Sequence, residues 1–506
     1  MQVQVLSSVP NELETVLKHI KFGTSGHRGI ISSTFTANHI RAIITAISIY
    51  LKQYKQIKSP RVLIGYDTRT GNSPLLEKSS YTYAVVECFI YHGINVGFCE
   101  SFSPTPLVSW AIQKHAYDLG VILTASHNPP NYNGIKINDH HGAPASSDIT
   151  EWIESEANAI FPTLSPDMFT HSIASVSYVN YTNEFISHLN TLLQQTFQLP
   201  FPSFSDRYLI DPKSGSSIEI WKAITADAIG TIDWHNDIAS SNFNFQSPDP
   251  THKNAINLLR SHCKNNACIG FSNDPDADRH VLIDEHGKFI SPEKIAAIII
   301  EYCISEGIEI SGIATTLANS SLIKKISSAH HIMCHETNIG FKYFTPFLTQ
   351  ARTQNKLCIG VESSGGFSIS LHTFDKCGFL PILLILGIMK KTNTPLYELA
   401  STIDQTYLTF HFFEDSIETI SSVDLKDLML NTQDKLRKLF EFPIDSINQR
   451  DGLKITFSNQ DWVLCRPSGT EPVIRIYAES TTIESAKHYV QHVKEYLSEI
   501  ISERPL

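Results

Sequence analysis

Short apolar runs alternate with helix-length amphipathic stretches along most of this chain, an alternation that restricts it to layered α/β units with parallel or mixed sheets. The run RVLIGYD (61–67) reads as a buried strand, a helix-length stretch follows from Pro74 to His92, and INVGF (94–98) supplies the next strand. LGVILTA (119–125) is another apolar run. It delivers Ser126 at its C-terminal end, the side of an open α/β sheet on which ligands sit. A stretch rich in Pro, Phe and Ser, LPFPSFSD (199–206), interrupts the pattern before RYLID (207–211) restarts it, so a boundary falls there. The second unit has a helical stretch over 250–265, strands ACIGFS (267–272) and HVLID (280–284), and a helix from Pro292 to Glu306. Beyond the linker EGIEISG (306–312), a third unit runs through GIATTL (312–317), HIMCHET (331–337), KLCIGVESSGG (356–366) and an apolar helix after Gly378. Near 407 the pattern changes. A helix over 424–440, the runs LKITF, WVLCR and VIRIYAE, and a final helix over 483–500 predict a small antiparallel sheet with helices on one face. The expected domains are therefore 1–204, 205–308, 309–406 and 407–506.

Charge and cysteine usage narrow the partners. With 40 basic against 51 acidic residues the net charge is −11, which argues against nucleic acid or an anionic membrane and for a small ligand. Nine cysteines are scattered without a C-x-x-C pair, so neither a zinc ribbon nor a disulfide framework is expected; reduced thiols and a cytoplasmic location are. The longest apolar stretch, GFLPILLILGIM (378–389), is too short to span a bilayer, and the N-terminus lacks a basic segment followed by an apolar one.

Several short motifs carry chemistry. In NDPDADRH (273–280), Asp274, Asp276 and Asp278 alternate with small or turn residues and offer hard oxygen ligands suited to Mg²⁺ or Ca²⁺. An EF-hand is a poor fit, because the sixth position is Arg279 rather than Gly and a strand follows at once; a solvated acidic turn is the plain alternative. LTASHNPPNYNGIKIN (123–138) is turn chemistry by composition, and Ala125 and His127 flank Ser126 where an esterase elbow needs glycines. CRPSGTEPVIRIYAE (465–479) sets Arg466, Ser468, Gly469, Thr470 and Arg475 around a loop between strands, a combination suited to a phosphate or carboxylate but equally to a plain hairpin. In GVESSGGFS (360–368), Glu362 and Ser364 stand two apart in an extended segment and would face the same sugar hydroxyls. FGTSGHRGI (22–30) presents Arg28, an anion binder, among glycines. Together, a nucleophile, a hard-metal site, a hydroxyl reader and a phosphate clamp describe phosphoryl transfer on a sugar phosphate.

TASHNP, DPDADR, ESSGG and RPSGTEP, one in each unit and in this order, resemble the signatures of the α-D-phosphohexomutase superfamily, most of all its phosphoglucomutase branch. The resemblance implies three related mixed α/β domains plus a smaller α+β domain with an antiparallel sheet, arranged around a central cleft. It implies that Ser126 carries a phosphoryl group, that Asp274, Asp276 and Asp278 hold one Mg²⁺ per subunit together with the serine's phosphate, and that Arg28, His127, Lys136 and Arg279 line it. Lys136 would assist proton transfer, provided its pKa is lowered. Glu362 and Ser364 match the sugar readers, Arg466, Ser468, Gly469, Thr470 and Arg475 the distal phosphate loop, and Lys342, in IGFKYF (339–344), a loop of the phosphoglucomutase branches. Lys376 falls at a lysine position of some members. Two positions depart: Ser363 stands where a second Glu is common, and Cys377 where Asp is. The implied reaction moves a phosphoryl group between C1 and C6 of a hexose, glucose before mannose, glucosamine or a pentose, with a hexose 1,6-bisphosphate as activator. A monomer or homodimer acting on a small sugar phosphate is expected. A non-catalytic sugar-phosphate binder is the rival reading.

Overall fold

The computed structural model describes residues 19–165, 168–169, 173, 176–408, 410–418, 442–467 and 473–503. They fall into two compact units: one takes the described residues within Met1–His188, Phe204–Leu258 and Ser272–Asp278, the other those within Leu189–Ser203, Leu259–Phe271 and Arg279–Leu506.

The first unit is built on a seven-stranded mixed sheet. Its strands are β1 (Phe22–Gly23), β2 (Gly26–Ile30), β3 (Arg61–Tyr66), β4 (Asn95–Cys99), β5 (Leu119–Leu123), β6 (Tyr132–Asp139) and β7 (Ser177–Val179), in the order β1-β2-β6-β5-β3-β4-β7. β5, β3, β4 and β7 run parallel, and β6, β2 and β1 continue the sheet antiparallel. The central strands are apolar on both faces because helices cover both. Ala37–Ile49 packs against Tyr81–Tyr91 and Ser147–Ile160, while Thr105–Lys114 packs on β3 and β5. The helix expected from Pro74 begins only at Tyr81; Ser80 caps it by accepting from the Tyr83 N–H, and Pro74 sits in the preceding turn. NYNGIKIN, whose composition reads as turn, is strand β6. It lies between β2 and β5, and a Cβ on Gly134 would come within 2.7 Å of the carbonyl oxygens of His27 and Thr124. The same unit holds the parallel pair β8 (Tyr208–Asp211) and β9 (Ile232–Trp234). In the chain, β10 (Ile269–Asn273) leads into the acidic loop.

The second unit contains the hairpin β11 (His280–Ile283) and β12 (Phe289–Ile290), then a four-stranded sheet, β14-β13-β15-β16. Here β13 (Ile310–Thr316) pairs parallel with β14 (Cys334–Thr337) and β15 (Leu357–Val361), and β16 (Phe367–Ile369) returns antiparallel. The apolar helix after Gly378 spans Phe379–Thr392 and is buried along nearly its whole length against the helix Pro292–Ser305 and strands β11 and β16. The C-terminal sheet has five strands where three were expected: β17 (His411–Glu418), β18 (Ile444–Asn448), β19 (Leu453–Phe457), β20 (Trp462–Pro467) and β21 (Val473–Ser480), all antiparallel in the order β17-β21-β20-β19-β18. Its two edge strands are half exposed, which hides them from a search for apolar runs. One face is covered by the helix Ile483–Glu503, whose Ala486, Tyr489, Val490 and Val493 pack on Ile455, Val463, Ile474 and Ile476. The helix expected over 424–440 lies outside the described residues. No helix among the described residues is long and apolar enough to cross a membrane. All nine cysteines are free, and eight are buried.

A buried acid in the second unit sets a pH dependence. Glu293, in the first turn of Pro292–Ser305, is fully buried, and burial together with the nearby Glu479 carboxylate pushes it up from 4.5 to about 7. The stability associated with its neutral form is complete below the unfolded value and is lost as pH rises through about 7. Glu293→Gln should therefore stabilise the protein at pH 8 by about 1–3 kcal/mol and leave it unchanged near pH 4. Urea midpoints of variant and wild type at the two pH values measure this; an equal gap at both would remove Glu293 as the cause.

Candidate active site

Ser126 sits in the connection between β5 and β6, buried and in the left-handed region (φ 51°), an uncommon conformation for a residue other than glycine. Local bonds hold it there. Its N–H donates to Thr124 Oγ1 at 2.8 Å, and that hydroxyl donates to Asp67 Oδ2 at 2.6 Å. Its own Oγ donates to Asp274 Oδ2 at 2.7 Å, with His127 Nδ1 3.4 Å away. Arg28, on β2, donates to Asn128 Oδ1 at 2.5 Å.

The acidic loop is no solvated turn: Asp274, Asp276 and Asp278 are fully buried. The backbone fixes it from several sides. Thr105 N–H donates to Asp276 O at 2.9 Å, Ser216 N–H and Oγ donate to Pro275 O at 2.7 and 2.8 Å, and Ala277 N–H closes a turn onto Asp274 O. Strand β11 follows directly, which excludes the EF-hand. Lys136, on β6, donates to Asp276 Oδ2 at 2.5 Å and Asp278 Oδ2 at 2.7 Å, and the Thr105 hydroxyl donates to Asp276 Oδ2 at 2.6 Å. Burial and the adjacent Asp278 charge push the Asp276 carboxyl up; Lys136 and Thr105 outweigh them and hold it below its ordinary value. Lys136 is thus a counter-charge in a buried ion-pair group.

The three aspartates each present an oxygen within 4.8 Å of the others, and Asp276 Oδ1 is buried with no hydrogen-bond partner among the described residues. Three hard oxygen donors and an unsatisfied lone pair fit a small divalent cation.

In the second unit, residues 362–366 form a tight turn after β15 rather than an extended segment: Gly365 N–H donates to Glu362 O at 3.1 Å and Glu362 N–H to Gly366 O at 2.9 Å. Ser364 Oγ nonetheless faces Glu362 Oε2 at 3.4 Å. Arg279 bridges to Gly366, and His280 donates its N–H to Gly365 O at 3.2 Å. A Cβ on Gly366 would meet Lys376 Cδ at 2.5 Å and Glu362 Oε2 at 3.0 Å, so Arg279, Glu362, Ser364 and Lys376 gather around one turn. Cys377 is a core residue whose thiol burial pushes up to about 12, and Ser363 is half buried.

Lys342 lies in the short helix Phe341–Phe344, its ammonium 5.4 Å from the Tyr343 ring centre. Arg466 and Arg475 are cross-strand partners on β20 and β21. Ser468, Gly469 and Thr470, between them, lie outside the described residues. Asp451 joins these elements: Oδ2 accepts from Ile339 N–H at 2.7 Å and Oδ1 from Arg466 Nε at 2.8 Å. Arg475 pairs with Glu414 at 3.2 Å.

Two residues that the sequence does not single out are prominent here, Asp451 and the wholly buried Arg69. Arg69 Nε pairs with Asp67 Oδ2 at 3.1 Å, one terminal nitrogen donates to the carbonyls of Pro129 and Tyr132 at 2.9 and 3.0 Å, and the other to those of Ser126 and Asn128.

Four family models match consecutive parts of the chain: phosphoglucomutase/phosphomannomutase α/β/α domain I over residues 19–163, domain II over 183–287, domain III over 291–407 and the C-terminal domain over 423–495. A phosphoglucosamine/phosphogalactosamine mutase of Sulfurisphaera tokodaii is 26% identical over 488 residues, covering 94% of this chain and 98% of the relative. A phosphoglucomutase of Komagataeibacter xylinus is 28% identical over 530 residues, covering 93% and 89%. Among solved structures, a putative phosphomannomutase from Thermus thermophilus superposes with a TM-score of 0.77 at 22% identity, covering 95% of this chain and 99% of that one.

Proposed function

The chain belongs to the phosphoglucomutase/phosphomannomutase family of isomerases, and on that premise we propose that it interconverts glucose 1-phosphate and glucose 6-phosphate through a phosphoserine at residue 126. The observation that carries this reading is the buried contact of Ser126 Oγ with Asp274 beside the Lys136–Asp276–Asp278 group. Among the described residues no acyl-transfer triad accompanies the serine; its surroundings are cations and carboxylates, the equipment of phosphoryl transfer.

Phospho-Ser126 donates to the free C1 or C6 hydroxyl and gives a hexose 1,6-bisphosphate, which turns around and returns its other phosphoryl group to the serine. Asp274, Asp276 and Asp278 would hold Mg²⁺, whose charge supplies electrostatic stabilisation to the transferring phosphoryl oxygens. Arg28, through its bond to Asn128, and His127 border the serine and can receive phosphate oxygens. Lys136 is assigned proton transfer at the sugar hydroxyl, which requires its ammonium to exchange one carboxylate partner for substrate. As the resemblance implies, Arg279 is assigned with Arg28 and His127 to the phosphoserine, Glu362, Ser364 and Lys376 to the sugar hydroxyls, and Lys342 with Arg466, Ser468, Gly469, Thr470 and Arg475 to the phosphate that is not transferring.

Glucose rests on IGFKYF (339–344) and on the Komagataeibacter relative's name. The name of the Sulfurisphaera relative favours an amino sugar as the second reading. Rates measured side by side on glucose, glucosamine, mannose and ribose 1-phosphates, with Mg²⁺ and a trace of the matching bisphosphate, should be highest for glucose. A higher rate on glucosamine 1-phosphate would replace the sugar and keep the class. Release of free phosphate faster than isomer formation would replace the class by a phosphatase.

A further inference from the structure

The catalytic loop of the first unit is held by a cation whose one face is closed by an aromatic ring from a distant, strained turn. Arg69 donates to the carbonyls of residues 126, 128, 129 and 132, so most of the Ser126 loop hangs on one guanidinium. That guanidinium lies over the ring of Phe243, 4.9 Å from its centre. Phe243 is buried, and it opens a run of three consecutive left-handed residues, Phe243, Asn244 and Phe245 (φ 51°, 54° and 58°).

Such a run is costly for side chains larger than glycine and persists only where its surroundings over-determine it. The restraints are on hand. Asn242 Oδ1 accepts from Ser240 Oγ at 2.8 Å and from Asn244 N–H at 3.1 Å; Asn244 Nδ2 donates to Ser214 Oγ at 3.0 Å; Thr70 N–H donates to Ser241 O at 3.3 Å, one residue from Arg69. Phe245 is 90% exposed, whereas Phe243 is buried, so the strained turn delivers one ring into the interior, and that ring lies on Arg69. A cation–π contact is strengthened by removal from water, and it restrains the guanidinium to the plane in which both terminal nitrogens reach the loop carbonyls.

We infer that Phe243 is a positioning residue for Ser126, acting through Arg69, so that the 240–245 turn sets the conformation of the loop that carries the phosphoryl group. The inference rests on the reading that Ser126 is the reacting group. Phe243→Leu keeps an apolar side chain and removes the ring; Phe243→Tyr keeps the ring; Phe243→Met is the alternative ring deletion if Leu does not fold. Hydrogen–deuterium exchange on the full chain should show faster exchange confined to residues 124–134 in the Leu or Met variant and a wild-type pattern in the Tyr variant. With turnover measured in parallel, kcat should fall about tenfold at nearly constant KM, the size of effect expected from a displaced reacting group. Unchanged exchange over 124–134, or unchanged kcat per folded molecule, overturns the inference and leaves Phe243 as ordinary core. Exchange needs no substrate, so a wild type that isomerises no sugar phosphate strikes the proposed function without deciding this test.

Discussion

Ser126→Ala is expected to lower isomerisation by about four to six orders of magnitude, the loss seen when a covalent nucleophile is deleted, while the protein remains folded. The substitution removes one hydroxyl and one hydrogen bond to Asp274, and alanine meets the φ of 51° with no greater strain than serine does. The expected stability cost is therefore about 1.5–3 kcal/mol, too small to account for the activity. Intact mass spectrometry after incubation with hexose 1,6-bisphosphate should find a phosphoryl adduct on the wild type and none on the variant. A variant that keeps more than about a hundredth of the wild-type rate, well above what a lost nucleophile leaves, would return Ser126 to a loop residue that only satisfies backbone groups.

Lys136→Met is expected to be the most destabilising substitution in the site, and the most sensitive to divalent cation. Its ammonium sits 2.5 and 2.7 Å from two wholly buried carboxylates. Removing one partner of a buried ion pair costs about 3–5 kcal/mol, because the charge left behind is uncompensated. A divalent cation bound by the three aspartates supplies charge at the same oxygens. The thermal midpoint of Lys136→Met should therefore fall well below wild type in a chelator and recover substantially with millimolar Mg²⁺, the Mg²⁺-induced rise being larger than in wild type. Equal rises in the two proteins would mean that lysine and metal do not share these oxygens, and would remove Asp276 and Asp278 from the metal site. The rate in saturating Mg²⁺ should stay about 10²- to 10⁴-fold down, the usual contribution of a general acid–base.

The parts of this fold legible in the sequence are those where burial is on both sides. RVLIGYD, LGVILTA, GIATTL and KLCIG become β3, β5, β13 and β15 because a strand covered on both faces has to be a continuous apolar run. β6 is not legible, because its Asn- and Gly-rich start, NYNG, imitates a turn; it is a strand because β2 and β5 flank it and Gly134 allows their carbonyls to approach. The same asymmetry holds in the site. The aspartates stand out by residue type and spacing, whereas Ser126 stands out only through the resemblance of TASHNP to the family signature. Arg69, Asp451 and Phe243 do not, since their partners are backbone groups or a ring far along the chain, and nothing in DTRTGN, QRDGLK or SSNFNF marks those distances.

Asp451 has a practical consequence for any exchange of the 338–344 segment. Its two oxygens serve two masters, the peptide N–H of residue 339 and the guanidinium of Arg466, and the amide of Asn cannot replace them, since it has one acceptor and would turn a donor toward the other partner. A graft that places proline at 339, or shifts that peptide out of reach, would leave Asp451 Oδ2 without that donor, so the segment is best exchanged together with residue 451.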